Sequence, residues 1–368
     1  MNENNLDHYK NNIGFRIIIK NSIIFILIAS LLFSIIVFDN PPKWFSNMIV
    51  KPLTYKSTSE FVNSLFTDEE TDNDSYLYID YGKDIDEVIL ENKIEDIDVE
   101  IPEGNLPIAE ADISSRNTLY RNKTKNIKIT NDYISKLINK DYPIKVNSLD
   151  SGPLVLILHT HTTESYVEEG KYYYNPKKAV AETRSRDDSK NVIAVGEAMK
   201  NSLEAMGIGV VHCTDYHDIY VFNESYNHSY KTVKEYLKMY PTIKYVIDLH
   251  RDSVINTNGT KIAPVAEIGG EKAAQIMIVV GSNDNGLKHD KWEQNLTLAV
   301  KIQSELVNEY GNLARPLVIR SGRFNQQLST GMLLFEIGAC GNTLKEAEYS
   351  ARLLANCYGS IIKSEICQ

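Results

Sequence analysis

Residues 152–166 read GPLVLILHTHTTESY, an apolar run followed at once by histidines and a carboxylate. The Gly-Pro pair and the continuous aliphatic residues predict a short strand that is buried on both faces. Such strands are typical of parallel sheets covered by helices. His159, His161 and Glu164 follow directly, and α/β sheets bind their ligands beyond the carboxyl ends of the strands. The stretch therefore predicts both an α/β fold and the position of its functional site.

Segments of strand and helix character alternate after this run. IKYVIDLH at residues 243–250 and GMLLFEIG at residues 331–338 are further apolar strands. Residues 189–207 and 290–311 carry apolar side chains at helical spacing, which indicates amphipathic helices. This alternation predicts a mixed, mostly parallel sheet with helices on both faces.

The amino-terminal part of the sequence has a different character. Residues 22–38, SIIFILIASLLFSIIVF, carry no charge, and with the apolar residues just upstream they approach the roughly 20 residues that cross a bilayer. Basic residues precede this segment and an aspartate follows it, so residues 1–21 are expected in the cytoplasm. We expect one uncleaved transmembrane helix, with a cleaved signal peptide as the alternative. The remainder of the chain would lie outside the cytoplasm in both cases.

Charge divides the remainder into two regions. Residues 39–114 are strongly acidic and show little periodicity, which predicts an extracytoplasmic stalk rather than a packed core. The charge changes sign near residue 115, where the α/β alternation begins, and we expect one catalytic domain over residues 115–368. The net charge is −10, and the lack of a sustained basic face argues against nucleic acid as a partner. Four cysteines without CxxC spacing predict neither a cysteine metal site nor a disulfide framework.

Three of the predicted strands end in side chains that can bind or activate a metal ion. The first leads to His161 and Glu164, the second ends at His250, and the third carries Glu336. Two histidines and one carboxylate satisfy Zn²⁺ and leave a position for water. A second carboxylate nearby can accept the proton of that water. We therefore expect a zinc site formed by His161, Glu164 and His250, with Glu336 as the general base.

Several neighbouring residues receive supporting roles. Glu164 has an alternative role in an ion pair with a basic neighbour, and Asp187 at the start of the next predicted helix is the alternative carboxylate ligand. Asp248 and Asp252 flank the second strand end, where one of them is expected to orient the histidine ring. Arg251 is expected to bind a carboxylate or an oxygen that develops charge. His159 is expected to contact substrate or to support the ligands, because strand alternation turns it away from the next histidine.

Six motifs in a fixed order resemble the stage II sporulation protein P family of endospore-forming bacteria. They are GPLVLILHTHTTESY, NVIAVGEAMKNSLEAMGIGVVH, YVIDLHRDS, WEQNLTLA, NQQLS and LLFEIGACGNT. The resemblance covers residues 115–368 and implies a zinc-dependent cell-wall hydrolase with a fold like that of zinc amidases and carboxypeptidases. Family members cut the amide between N-acetylmuramic acid and the L-alanine of the stem peptide, and are described as cutting peptide cross-links. The resemblance further implies action at the septum during engulfment, with stage II sporulation proteins D and M as partners.

The resemblance also assigns site residues. It implies that His161 and His250 bind zinc and that Glu336 is the catalytic base. The related amidases take their carboxylate ligand from the start of the first helix, but that helix begins DDSKN here and has no glutamate, so Glu164 is preferred. Asn295 and Asn325 lie in two of the shared motifs and are expected to position the muramyl peptide.

Two other functions remain open. A zinc carboxypeptidase or endopeptidase that acts only on stem peptides would use the same ligands. A membrane-anchored adaptor without catalytic activity would not require them. The presence of His161, His250 and Glu336 together argues against the adaptor.

Overall fold

The computed structural model describes residues 100–114, 118–141, 144, 149, 152–219 and 222–365. Its strands are β1 Leu106–Ala111, β2 Tyr120–Lys123, β3 Val155–Leu158, β4 Tyr173–Tyr174, β5 Val210–His212, β6 Tyr245–Asp252, β7 Lys261–Ile268, β8 Glu271–Ala274, β9 Ile276–Gly281, β10 Leu317–Arg320 and β11 Gly331–Ala339. Its α-helices are α1 Asn131–Ile138, α2 Ala179–Glu182, α3 Val192–Ala205, α4 Ser225–Met239, α5 Trp292–Tyr310 and α6 Leu344–Ser364.

The main sheet has seven strands in the order β2-β10-β9-β11-β6-β3-β5. Neighbouring strands are parallel except for β9 and β11, which are antiparallel. The strands β11, β6, β3 and β5 therefore end at one edge of the sheet, and β9, β10 and β2 end at the opposite edge.

A second sheet has four strands in the order β4-β1-β7-β8. Within it, β1 and β7 are parallel, whereas β1 with β4 and β7 with β8 are antiparallel. The prediction of one mixed, mostly parallel sheet is therefore wrong, because the strands form two mixed sheets and two of the three strand pairs in the second are antiparallel. The physical reason is that a buried apolar run specifies a strand but not the direction of its neighbour.

The predicted transmembrane helix is not part of the fold that the structure describes. No helix between residues 100 and 365 is long and apolar enough to cross a membrane. The segment at residues 22–38 on which the prediction rested lies outside the described residues, as do residues 1–21 and the stalk up to residue 99.

The end of the predicted stalk contributes a strand to the domain. Leu106–Ala111 form β1, and Ile108 lies opposite Lys261 of β7 in parallel register. Ala109 and Ala111 are buried in a small core with Ile262. Residues 106–111 of the predicted stalk thus pair with a strand from the predicted catalytic domain.

Helices lie on both faces of the main sheet. On one face α3, α5 and α6 pack against alternate strand residues such as Ile157, Ile247 and Phe335. On the other face Val233 of α4 packs against Leu156, Leu158 and Val246. Because strand residues alternate between faces, Asp248 and His250 of β6 share the face of α4.

Candidate active site

The chemically active strand ends meet at one edge of the main sheet. The strands β11, β6 and β3 are adjacent and parallel, and Glu336 lies opposite His250 in register. The ring centroids of His161 and His250 are 5.2 Å apart. Glu164 Oε2 lies 3.5 Å from His250 Nδ1. The structure therefore brings together the four residues that the sequence analysis placed in a zinc site.

His161 is buried in a partly aromatic environment. Its ring stacks on Phe222 with centroids 4.5 Å apart and meets the edge of Tyr226 at 5.7 Å. Burial lowers the pKa of His161 to about 3, so the imidazole is neutral at pH 7. Its Nδ1 atom is buried and has no hydrogen-bond partner among the residues described. A neutral imidazole with an unused nitrogen is the form of histidine that binds metal ions.

Glu164 is a buried carboxylate surrounded by positive charge. Its Oε2 atom accepts a hydrogen bond of 3.1 Å from the backbone N–H of Arg251, and Arg184 Nη2 lies 3.8 Å from Oε1. Burial acts to raise the pKa of Glu164, but the hydrogen bond from His250 and the charges of His250 and Arg251 lower it well below its usual value. The carboxylate is therefore ionised, as a metal ligand requires.

The ring of His250 is held between two carboxylates. Its Nε2 atom lies 2.9 Å from Asp248 Oδ1, although the N–H is not directed at that oxygen, and the contact is an ion pair rather than a hydrogen bond. Burial opposes the charged ring, but Asp248 and Glu164 raise the pKa of His250 well above its usual value. The structure places Asp248 where the sequence analysis expected an orienting carboxylate.

Glu336 carries the carboxyl group with the most unusual environment at this edge. It is buried, and its Oε2 atom has no hydrogen-bond partner in the described part of the chain. Burial and the negative charge of Asp252 raise the pKa of Glu336 to about 8, against the opposing effect of His250. A carboxyl group whose pKa lies near neutral pH is suited to proton transfer.

The Asp252 carboxylate forms an ion pair with Arg315, a residue that the sequence analysis missed. Arg315 Nη2 donates a 2.8 Å hydrogen bond to Asp252 Oδ2, and both side chains are buried. Arg315 lies two residues before β10, and only its position ahead of a buried strand could have drawn attention to it. The pair fixes the negative charge that faces Glu336.

We expect Arg315→Leu to destabilise the protein by about 3–5 kcal/mol, because it leaves the buried Asp252 carboxylate without its cation. Urea unfolding measures the loss. The double variant Arg315→Leu/Asp252→Asn should recover most of it, since neither charge remains. Equal losses in the single and double variants would contradict the assignment.

Three residues with predicted roles are used elsewhere. Asp187 is exposed and accepts hydrogen bonds from Ser189, so it is not brought to the candidate site. Asn295 donates to the backbone oxygens of Ser329 and Met332 near the amino end of β11. Asn325 is buried, and its Nδ2 donates to the backbone oxygen of Tyr226 and to Ser229 Oγ. These amide groups serve internal contacts in the structure.

Arg251 and His159 contact backbone oxygens near the strand ends. The guanidinium of Arg251 donates to the backbone oxygens of Asp252 and Thr183. His159 points to the face opposite His161, where its Nδ1 lies 2.9 Å from the oxygen of Leu249 and its Nε2 lies 2.9 Å from His212 Nε2. Both side chains therefore contact the backbone around the candidate ligands rather than open space.

The donor set suits zinc, but its present arrangement is that of an ion pair. No three His, Cys, Asp or Glu side chains among residues 100–365, so far as described, are arranged to hold a metal ion. His250 Nδ1 faces Glu164 Oε2 instead, while His161 Nδ1 remains unpaired. Two imidazoles and a carboxylate fit Zn²⁺ in ligand type, and a bound cation would replace the ion pair. The cysteines Cys213, Cys340 and Cys357 are free and buried, and Cys367 lies outside the described residues.

A buried histidine in the loop after β9 gives a pH-dependent prediction. Burial and the charge of Arg323 lower the pKa of His289 to about 4. In this pH range the unfolded chain takes up a proton on His289 and the folded protein does not. The free energy of unfolding is therefore highest above pH 6.5 and falls as the pH decreases towards 4. Between pH 7 and pH 5 this costs about 2 kcal/mol. We expect His289→Leu to reduce the pH dependence of unfolding by that amount, and parallel stability curves would contradict this.

Comparison with known proteins supports the resemblance. The family model of stage II sporulation protein P matches residues 78–358. Stage II sporulation protein P of Bacillus subtilis strain 168 is 30% identical over 219 residues, which are 56% of this chain and 51% of the relative. The match thus spans about half the length of that relative.

Remote likenesses to solved structures exist as well. The CwlD amidase of Clostridioides difficile, solved in complex with the GerS lipoprotein, is 14% identical, with 58% of this chain and 98% of that chain covered and a TM-score of 0.34. An N-acetylmuramoyl-L-alanine amidase of Clostridium difficile 630 is 14% identical, with 58% and 97% covered and a TM-score of 0.35. Likeness at this level carries no weight for function. The family match extends over most of the sequence, and the chain belongs to the stage II sporulation protein P family.

Proposed function

We propose that this protein is a zinc-dependent peptidoglycan hydrolase that cleaves the amide between N-acetylmuramic acid and L-alanine. The observation that carries the proposal is the convergence of His161, Glu164, His250 and Glu336 at the ends of three adjacent strands. A buried, neutral histidine beside an ionised carboxylate and an unpaired carboxyl group is unfavourable for stability alone. Such clusters mark functional sites.

His161, Glu164 and His250 would hold the metal ion. When bound, zinc would supply Lewis acidity that polarises a carbonyl group and acidifies water, and its charge would favour the ionised form of Glu336. Glu336 Oε2 then takes a proton from the attacking water and delivers it to the nitrogen of the leaving L-alanine. Its burial keeps competing solvent away from that proton.

Membership of a sporulation family supports a place for this hydrolysis in the wall of the sporulation septum. We propose peptidoglycan as the substrate, and stage II sporulation proteins D and M as partners. The partners follow from the family resemblance, whereas the substrate also suits the chemistry of a metal site that hydrolyses amides.

Digestion of peptidoglycan tests the proposal. Full-length protein is incubated with peptidoglycan purified from sporulating cells, with and without a chelator, and the fragments are identified by mass spectrometry. We expect release of stem peptides with a free amino-terminal L-alanine, loss of release with chelator and recovery with added Zn²⁺. Cleavage of cross-links alone would assign the protein as an endopeptidase. No cleavage in the presence of zinc and both partners would support the adaptor.

A further inference from the structure

A chain of buried polar side chains leads from the loop before β11 to the carboxylate beside His250. Asn325 Nδ2 lies 3.0 Å from Ser229 Oγ, which lies 2.8 Å from Thr160 Oγ1. Thr160 Oγ1 in turn lies 2.7 Å from Asp248 Oδ2. All four side chains are fully buried. They come from four separate places in the fold: Thr160 lies two residues after β3, Ser229 in the second turn of α4, Asp248 in β6 and Asn325 in the β10–β11 loop.

The hydrogen bonds in this chain can run in only one direction. The carboxylate of Asp248 is the acceptor at this end: its Oδ1 accepts the backbone N–H of Thr160 and its Oδ2 accepts the Thr160 hydroxyl. Thr160 must therefore donate its single hydroxyl hydrogen to Asp248. Ser229 then donates to Thr160 Oγ1 at 2.8 Å, in preference to the backbone oxygen of Tyr226 at 3.3 Å. Asn325 donates to Ser229 Oγ, so the Ser229 and Thr160 hydroxyl hydrogens are both used within this series of hydrogen bonds.

The amide of Asn325 is fixed in its orientation by a second contact. Its Nδ2 also donates to the backbone oxygen of Tyr226 at 2.9 Å, and a carbonyl oxygen cannot donate in return. We call the hydrogen-bonded series Asn325–Ser229–Thr160–Asp248 the relay. The contact with Tyr226 connects the relay to the first turn of α4, and the Tyr226 ring lies 5.7 Å from the His161 ring between centroids. The loop, the helix and the strand end are therefore linked at the candidate site.

The relay leaves Asp248 with little freedom. Thr160 occupies both carboxylate oxygens, with its backbone N–H 2.8 Å from Oδ1 and its hydroxyl on Oδ2. The oxygen that faces His250 Nε2 at 2.9 Å is thus held in place from behind. A carboxylate that pairs with the second nitrogen of a ligand histidine orients the ring, and here that pairing is the ion pair between Asp248 and His250.

The backbone around Asn325 supports a specific role for this loop. Phe324 and Asn325 have φ values of 51° and 58°, and they are the only non-glycine residues with positive φ in the described part of the chain. This conformation is costly for side chains with a Cβ atom and persists where the surroundings enforce it. Asn is among the residues that tolerate this conformation best. The side-chain Nδ2 of Asn325 also donates to Ser229 Oγ and to the backbone oxygen of Tyr226.

We propose that Asn325, Ser229 and Thr160 are positioning residues that hold Asp248 against His250 and so pre-organise this histidine for zinc. None of the three contacts the ring itself. The inference rests on the proposed zinc site and extends it to residues far apart in the sequence. Loss of a relay hydroxyl leaves the ligands intact but allows the Asp248–His250 pair to turn.

Zinc affinity of the full-length protein tests the proposal. Competition with a chromophoric chelator measures the Kd for Zn²⁺ in the wild type, Ser229→Ala, Thr160→Val and Thr160→Ser. We expect a loss of about 10–100-fold for the alanine and valine variants, and recovery by the serine variant, which keeps the hydroxyl. Ser350→Ala is the matched control, because Ser350 is a buried helical serine whose hydroxyl contacts the backbone oxygens of Ala274 and Glu346.

The outcomes separate the relay from the metal site. Tight zinc binding by the wild type with unchanged Kd in Ser229→Ala and Thr160→Val would overturn the relay and leave the proposed function standing. Equal losses in Ser229→Ala and Ser350→Ala would mean a general effect of stability, which also overturns it. A wild type that binds no zinc would overturn the proposed function itself and, with it, the relay.

Discussion

Glu336→Gln should abolish wall cleavage while leaving zinc bound. The amide has the shape of the carboxyl group but cannot accept a proton, and loss of a general base costs about 10²–10⁴-fold in rate. Because Glu336 is raised to a pKa of about 8 by burial and Asp252, the neutral amide should not destabilise the metal-free protein at pH 7. Peptide release from peptidoglycan, zinc content and thermal unfolding measure the three expectations.

A partly buried glutamate outside the candidate site, Glu346, provides the control. Its carboxylate accepts hydrogen bonds from Asn342 Nδ2 and from the backbone N–H of Thr343 at the start of α6, and burial raises its pKa. Glu346→Gln should lower stability and leave the rate of cleavage unchanged. If Glu336→Gln retained wild-type activity, Glu336 would not be the base, and if it lost zinc, Glu336 would be a ligand instead.

His161→Ala should remove bound zinc and cleavage together. The imidazole contributes a buried nitrogen, Nδ1, that has no hydrogen-bond partner in the described residues. Loss of one of three protein ligands should weaken zinc affinity by well over about 100-fold, more than loss of a supporting contact. Equilibrium dialysis followed by metal analysis measures the change. Glu164→Gln should behave in the same way, whereas Asp187→Asn should not, because Asp187 is exposed.

His289→Ala is the matched control for this substitution. His289 is also buried, and neither of its ring nitrogens has a hydrogen-bond partner within the described residues. Its removal should cost stability and leave zinc affinity unchanged. Equal zinc binding by His161→Ala and His289→Ala would exclude His161 as a ligand.

The sequence analysis located the candidate site because strand ends are visible in an apolar pattern. GPLVLILH, IKYVIDLH and GMLLFEIG each form a strand near the predicted position, and three parallel neighbours bring their ends together. Strand alternation also predicted that His159 and His161 point to different sides. The residues that meet at the candidate site were therefore accessible from local patterns.

Other features depend on pairings that no local pattern reveals. The antiparallel contact of β9 with β11 and the second sheet follow from chain crossings over long distances in sequence. Arg315 approaches Asp252 across 63 residues, and Asn325 approaches Ser229 across 96. Asn295 and Asn325 were assigned to substrate on motif position, whereas their amides meet backbone and side-chain groups within the fold.

We propose that residues at the ends of β3, β6 and β11 form one zinc centre. Diffraction from crystals of the zinc-loaded protein, recorded on both sides of the zinc absorption edge, tests it most directly. We predict one anomalous peak within bonding distance of His161, Glu164 and His250, with Glu336 beside it. A peak at other residues, or none at this edge of the sheet in protein that cleaves peptidoglycan, would contradict it.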